Sequence, residues 1–169
     1  RLAAGEVISG KKIGLTSPGI QRQLGVSEPD YGHLFQSMAC ELEVPADELL
    51  QPKIEAEIAF ILREDLPGGN VTAEDVRKAT EYIVGAFEIV DSRVADWRIK
   101  LPDTVADNAS SGRYVLGDTM MPLGDMDLSA IEMTMRRGNE IVGQGTGAAV
   151  MGDPCLSVAW LTISFPLRI

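Results

Sequence analysis

A chain of 169 residues, 45% hydrophobic and 24% charged, has the mass for one globular domain with a buried core and is too apolar to stay disordered. Its net charge of −10 repels nucleic acid and anionic membranes, so neither is an expected partner, and an anionic substrate would need local help from a metal, Lys or Arg. Cys40 and Cys155 form no Cys-x-x-Cys motif, which argues against a zinc ribbon or disulfide framework and for a reducing cytoplasm, and neither a membrane-length apolar run nor a basic leader is present.

In chain order, the segment from Arg1 reads as the last turn of an amphipathic helix that stops at Gly10. Residues 11–15 read as a strand, Pro18–Leu24 as a short helix ended by Gly25, and residues 27–32 as a turn-rich stretch. Residues 54–62 alternate as a strand, and Leu66-Pro-Gly-Gly-Asn70 breaks the chain. Thr72 is a predicted N-cap with Asp75 at the capping-box position. A helix follows, with Val76, Ala79, Thr80 and Ile83 at helical spacing, and it leads into a strand over residues 84–90. Ile131, Met133 and Met135 alternate with polar residues, and Arg137-Gly-Asn139 turns the chain back through Ile141 and Val142, which predicts a hairpin. Residues 143–152 read as a glycine-rich loop and 154–163 as a helix with Pro154 in its first turn. The irregular order of strands and helices predicts an α+β fold and excludes a doubly wound nucleotide fold.

Three carboxylates stand out because they sit in apolar strands: Glu55 and Glu57 in one, Glu88 in the other. Alternation points Glu55 and Glu57 the same way, about 6 to 7 Å apart. The opposite face carries Ile54, Ala56, Ile58, Phe60 and Leu62, fit for a core, while the carboxylate face runs on into Ala59 and Ile61. A carboxylate beside apolar surface must be paired, protonated or metal-bound. Oxygen-only ligation favours Mg²⁺ or Mn²⁺ over zinc. On spacing alone, Glu-x-Glu also describes an edge strand whose carboxylates face water.

Six segments then carry a resemblance that spacing does not supply: Gly10-Lys-Lys-Ile-Gly-Leu-Thr-Ser17, Glu28-Pro-Asp-Tyr-Gly32, Gln51-Pro-Lys-Ile-Glu-Ala-Glu-Ile-Ala-Phe60, Ala86-Phe-Glu-Ile-Val-Asp-Ser-Arg93, Asp103-Thr-Val-Ala-Asp-Asn-Ala-Ser110 and Gly145-Thr-Gly-Ala-Ala149. In order and over nearly the whole chain, they resemble the hydratase and decarboxylase branch of the fumarylacetoacetate hydrolase superfamily, and Trp97 to Ser110 looks like the 2-keto-4-pentenoate hydratase version. The resemblance implies a mixed β-sheet roll or barrel with flanking short helices, spread over one domain of residues 1–169. It implies a metal held by Glu55, Glu57 and Glu88, and hydration of 2-hydroxypenta-2,4-dienoate to 4-hydroxy-2-oxopentanoate in meta-cleavage catabolism of aromatic compounds. A homo-oligomer, with association to pathway enzymes, goes with it.

Lys12, in the first segment, is implied to bind the substrate carboxylate or protonate the dienol, Asp30 to orient Lys12 or move a proton, and Ser110 to hydrogen-bond the substrate. On residue pattern alone Lys12 is a solvated strand lysine, Asp30 a turn former and Ser110 a cap. His33, the sole histidine, is expected to be a packed loop residue, and Asp91 with Arg93 to form a structural ion pair. The alternatives are a 4-oxalocrotonate decarboxylase and, in another class, a non-catalytic remnant or partner subunit. Family members carry a helical segment before the position of Arg1 and further strands after the last helix. The short chain is therefore expected to be incomplete at its C-terminus and poorly stable.

Overall fold

The structure is a computed structural model that describes residues 2–168. Among the described residues the chain forms strands β1 (Ile8–Gly14), β2 (Asp30–Phe35), β3 (Ala39–Cys40), β4 (Lys53–Leu62), β5 (Thr80–Val90), β6 (Ser111–Pro122), β7 (Glu132–Arg137) and β8 (Glu140–Thr146). The α-helices are α1 (Pro18–Leu24), α2 (Ala73–Ala79), α3 (Leu101–Ala106) and α4 (Pro154–Ser164). This is the α+β class expected, with short helices around mixed sheets.

The central sheet has the order β3-β6-β5-β4, antiparallel except for the short parallel pairing of β3 with β6. The β1–β2 and β7–β8 pairs are separate antiparallel ribbons. Local signals fix several ends. Ser17 caps α1 by accepting from the Ile20 amide, and Gly25, at φ 67°, closes it in the left-handed region that glycine adopts without strain. In α2 the Thr72 hydroxyl accepts from the Asp75 amide while the Asp75 carboxylate accepts from the Thr72 amide, so two orphan donors are satisfied reciprocally.

The core lies on one face of the sheet. Val76 and Ala79 of α2, Cys155, Val158 and Ala159 of α4, and Ile83 of β5 bury against Leu66, Leu123 and Leu128, with Ile58, Phe60 and Leu62 of β4 packed on them. Alternation therefore sends the odd-numbered residues of β4, Glu55 and Glu57 among them, to the opposite face.

Six expectations need correction. The helix expected up to Gly10 is only a 3-10 turn at Leu2–Ala4: residues 8–10 already belong to β1, paired with β2, and Arg1 lies outside the described residues. Helix α2 stops at Ala79, because β4 and β5 pair from Thr80 onward, and Ile83 is a strand residue whose burial suits either period. His33 is in β2, not a loop, with its ring stacked near Phe35 and edge-on to Phe165. The glycine-rich stretch at 143–152 begins as strand β8, where Gly143 and Gly145 pair with Met135 and Met133. Ile54 is 58% exposed, since the helices cover the other end of that face. Arg93 pairs with Asp107, at 2.6 Å, and not with the carboxylate of Asp91.

Candidate metal centre

Strands β4 and β5 pair in the register Glu55 opposite Glu88 and Glu57 opposite Ala86. Directly opposed residues share a face, so all three carboxylates point the same way, and the small Ala86 leaves room between Glu57 and Glu88. Like charges directly across a sheet destabilise it. Here three carboxylate oxygens, one from each of Glu55, Glu57 and Glu88, lie within 4.8 Å of one another. Glu55 and Glu57 each keep part of their surface in solvent, whereas Glu88 is only 6% exposed and its Oε1 is buried with no hydrogen-bond partner. A buried orphan acceptor at the meeting point of two further carboxylates is a donor set for a hard divalent cation.

The β1–β2 ribbon contributes the neighbouring groups. Lys12 Nζ lies 3.2 Å from Glu88 Oε2, with both side chains largely buried. Burial alone would lower the affinity of Lys12 for its proton, but the negative charges of Glu88, Asp30 and Glu55 outweigh it and raise the pKa. Burial is the largest influence on Glu88 and raises its pKa, with Lys12 acting against it, Glu55 adding to it, and the Ser111 hydroxyl opposing it. Glu57 is pushed up to about 7, first by lost hydration and then by the charges of Glu88 and Glu55. The shifts agree in sign: one ammonium does not balance these carboxylates, and a further cation would.

Asp30 is buried, opposite Gly14 across the ribbon. Its Oδ2 accepts from the Thr104 hydroxyl at 2.7 Å and its Oδ1 has no partner. A Cβ on Gly14 would sit 2.3 Å from Asp30 Oδ1 and 3.3 Å from Lys12 Nζ, so only glycine fits between the two side chains. Gly32, opposite Lys12, is required for a similar reason. A Cβ there would meet the Asn108 carbonyl at 2.5 Å and the Ser111 hydroxyl at 2.8 Å.

The third wall is the turn Asn108-Ala109-Ser110, with three successive residues in the left-handed region at φ 57°, 51° and 52°. For non-glycine residues this costs on the order of 1–3 kcal/mol each. The surroundings hold it. The Asn108 amide group bonds both the N–H and the C=O of His33, at 2.8 and 2.9 Å, like a neighbouring strand. Arg93 donates to the Asp107 carboxylate and to the backbone carbonyls of Asp91, Asp107 and Ser111. The Asp91 carboxylate instead accepts from the Leu50 and Gln51 amides.

The structure thus gathers Glu55, Glu57, Glu88, Lys12 and Asp30. Ser110 is buried with its hydroxyl donating to Asp107 at 2.9 Å, in no bond with these five, while Ser111, one residue on, is the serine that acts on Glu88. Ser111, Thr104, Gly14 and Arg93 were not singled out as site-forming residues from the sequence. The Gly-x-Lys-x-Gly pattern, the segment ending at Arg93 and the Asp-Thr-Val-Ala-Asp-Asn string flagged their neighbourhood. His33 faces away from Lys12, since it pairs with Lys11 on the other side of the ribbon.

Residues 24–169 match the family model described as fumarylacetoacetate (FAA) hydrolase C-terminal. The chain is 50% identical over 175 residues to a 2-keto-4-pentenoate hydratase of Burkholderia vietnamiensis, covering 99% of this chain and 67% of that protein. It is 52% identical over 163 residues to 2-keto-4-pentenoate hydratase 1 of Dechloromonas aromatica, covering 95% of this chain and 62% of that protein. Among solved structures, 4-oxalocrotonate decarboxylase from Pseudomonas putida G7, complexed with magnesium and adipate, superposes with a TM-score of 0.93 at 36% identity, over 99% of this chain and 66% of that one. The chain therefore spans about two thirds of the length of the relatives it matches.

Proposed function

The chain belongs to the fumarylacetoacetate hydrolase family, and we propose that it serves a divalent-metal-dependent hydro-lyase that converts 2-hydroxypenta-2,4-dienoate to 4-hydroxy-2-oxopentanoate in the breakdown of aromatic compounds. The observation that carries the reading is the convergence of Glu55, Glu57 and Glu88 beside a buried Lys12 and Asp30. Roughly 50% identity to hydratases, against 36% to the decarboxylase, supports hydration. Residues 1–169 form one domain in this reading, which the match over residues 24–169 supports.

In this reading Glu55, Glu57 and Glu88 hold one Mg²⁺ or Mn²⁺. The bound ion supplies Lewis acidity toward the substrate's carboxylate and 2-oxygen. The chain's own groups move protons. The substrate loses the proton of its 2-hydroxyl and gains one at C5, which shifts the remaining C=C bond to C3–C4. The oxygen of water then bonds to C4 and its proton ends at C3, so one water is consumed. Lys12, kept protonated by its acidic neighbours, is a cation for the substrate carboxylate and a proton donor. Asp30, with Oδ1 free, is the matching acceptor. Ser110 donates to Asp107 and keeps lone pairs with which to accept from the substrate.

No described helix is long and apolar enough to cross a membrane, and both cysteines are free, which supports a reducing cytoplasm. Exposed Phe87 and Met120 and the long edge strand β4 support a homo-oligomer, with pathway enzymes as further partners.

A second reading, decarboxylation of 4-oxalocrotonate, is favoured by the 0.93 superposition alone. Purified protein with Mg²⁺ or Mn²⁺ is to be incubated with the pentadienoate and, separately, with 4-oxalocrotonate. Appearance of 4-hydroxy-2-oxopentanoate from the first is the expected result. Release of CO₂ from the second with no hydration of the first establishes the decarboxylase. Turnover of neither makes the chain a non-catalytic remnant or partner subunit.

A further inference from the structure

We propose that Thr104 is a positioning residue that fixes the orientation in which the Asp30 carboxylate presents its free oxygen for proton transfer; the inference rests on the hydration reading above. Thr104 lies on α3, whose N-terminus is secured by the Asp103 carboxylate accepting from the Lys100 amide at 2.9 Å. Its hydroxyl has one proton and two acceptors in reach, Asp30 Oδ2 at 2.7 Å and the Leu101 carbonyl at 3.1 Å. The carboxylate is closer and charged, and a charge-assisted bond is roughly twice as strong as a neutral one, so the proton goes to Asp30. Thr104 and Asp30 are 5% and 3% exposed, so water does not compete for this bond.

With Oδ2 taken, Oδ1 is the edge of Asp30 left for chemistry. It is buried, without a partner, and faces the gap over Gly14 that Lys12 Nζ borders from the other side. A partial rotation of the carboxylate about its Cβ–Cγ bond would tilt this edge out of the gap, and the Thr104 bond holds the plane against it. The same segment grips β2 a second time, through the Asn108 amide on the backbone of His33, three residues beyond Asp30. Helix α3 and its left-handed turn thus act as a rack for the strand that carries Asp30. Thr104 itself touches neither Lys12 nor the carboxylate triad in any bond of the structure, and its influence runs through Asp30.

The test compares Thr104→Val, which keeps the shape and removes the hydroxyl, with Thr104→Ser, which restores it. Three quantities are read in the full chain with Mg²⁺: calorimetric binding of 2-oxopentanoate, exchange of its C3 protons for deuterium in D₂O, and hydration kinetics. In the exchange Asp30 takes the proton from C3, the C–H electrons form the C2=C3 bond and the carbonyl π pair moves onto the 2-oxygen as an enolate; the proton is lost to D₂O, and a solvent-derived deuteron returns to C3 as the C=O bond re-forms. Thr104→Val is expected to bind 2-oxopentanoate within about two-fold of the original, while exchange and kcat fall about 10- to 100-fold with KM little changed. Thr104→Ser should recover most of that loss. Exchange at the original rate in Thr104→Val, or equal damage in both variants, overturns the role of Thr104 and leaves the hydration reading standing. Loss of binding in step with exchange makes Thr104 structural and also overturns it. If the unmodified protein neither binds 2-oxopentanoate with Mg²⁺ nor hydrates the dienoate, the hydration reading fails and this inference with it.

Discussion

Lys12→Met is expected to lower hydration of the pentadienoate by about 10²- to 10⁴-fold, the range typical of a lost general acid, while Mg²⁺ binding holds or tightens. The two effects separate because Lys12 has two relations to the site. It is the cation and proton source for the substrate, so its loss removes a step. It is also a positive charge 3.2 Å from Glu88, so its loss leaves the carboxylates more negative and more receptive to a divalent ion. Breaking a buried ion pair by removing one partner costs roughly 3–5 kcal/mol, so the metal-free variant should unfold at lower urea. Mg²⁺ at about 100 times its Kd stabilises either protein by about 2.7 kcal/mol, so the deficit should stay the same where affinity is unchanged and shrink where the variant binds the ion more tightly. Steady-state kinetics, Mg²⁺ calorimetry and urea unfolding with and without Mg²⁺ check the three parts. Unchanged hydration kinetics would demote Lys12 to a structural residue.

Glu57→Gln should do the reverse, stabilising the metal-free protein and weakening the metal site. Its carboxylate has lost hydration and is crowded by Glu88 and Glu55, within 4.8 Å, and its pKa of about 7 records that ionising it there is unfavourable. A neutral amide of the same shape removes the repulsion. Because the side chain is open to solvent the gain is screened, and a Tm rise of roughly 2–4 °C at pH 8 is expected, what about 1 kcal/mol gives a domain of this size. The amide is a poorer ligand for a hard cation, so Mg²⁺ affinity should drop at least about 10-fold. Thermal melts and calorimetry at pH 8 read both. A variant less stable without metal, or one that binds Mg²⁺ as the original does, contradicts the assignment of Glu57 as a ligand held under repulsion.

What the sequence made legible was local. The period-two alternation of β4 put Glu55 and Glu57 on one face, and a carboxylate in the apolar run of β5 marked Glu88. The antiparallel register that sets Glu55 against Glu88 is what makes them one site. The capping box at Thr72 and the glycine stop at Gly25 are short-range hydrogen-bond signals, and both ends form as read. Where two periods coincide the reading failed: Ile83 satisfies the helical spacing of Val76 and Ala79 and also the inward face of β5. Pairing with β4 and β6 decided for the strand.

Other features depend on contacts distant in sequence. Strand β6 carries Gly117 and Asp118 and a broken register against β5, so it lacks clean alternation. Helix α3 is only six residues long and gives little periodic signal. Arg93 was expected to pair with its neighbour Asp91. The fold brings Asp107 to it, and the Asp91 carboxylate is consumed by the Leu50 and Gln51 amides. The bond from Thr104 to Asp30 spans 74 positions, and nothing local in either segment announces it.

The central claim is that Glu55, Glu57 and Glu88 close on one divalent ion beside Lys12 and Asp30. A crystal of the protein soaked in Mn²⁺ and measured at an energy where manganese scatters anomalously tests it most directly. The account predicts one peak, with an oxygen of each of the three glutamates at about 2.0–2.3 Å and Lys12 and Asp30 within the surrounding shell. A peak bound by only one of the three carboxylates, or one lying on another surface with the triad unliganded at saturating Mn²⁺, would contradict it.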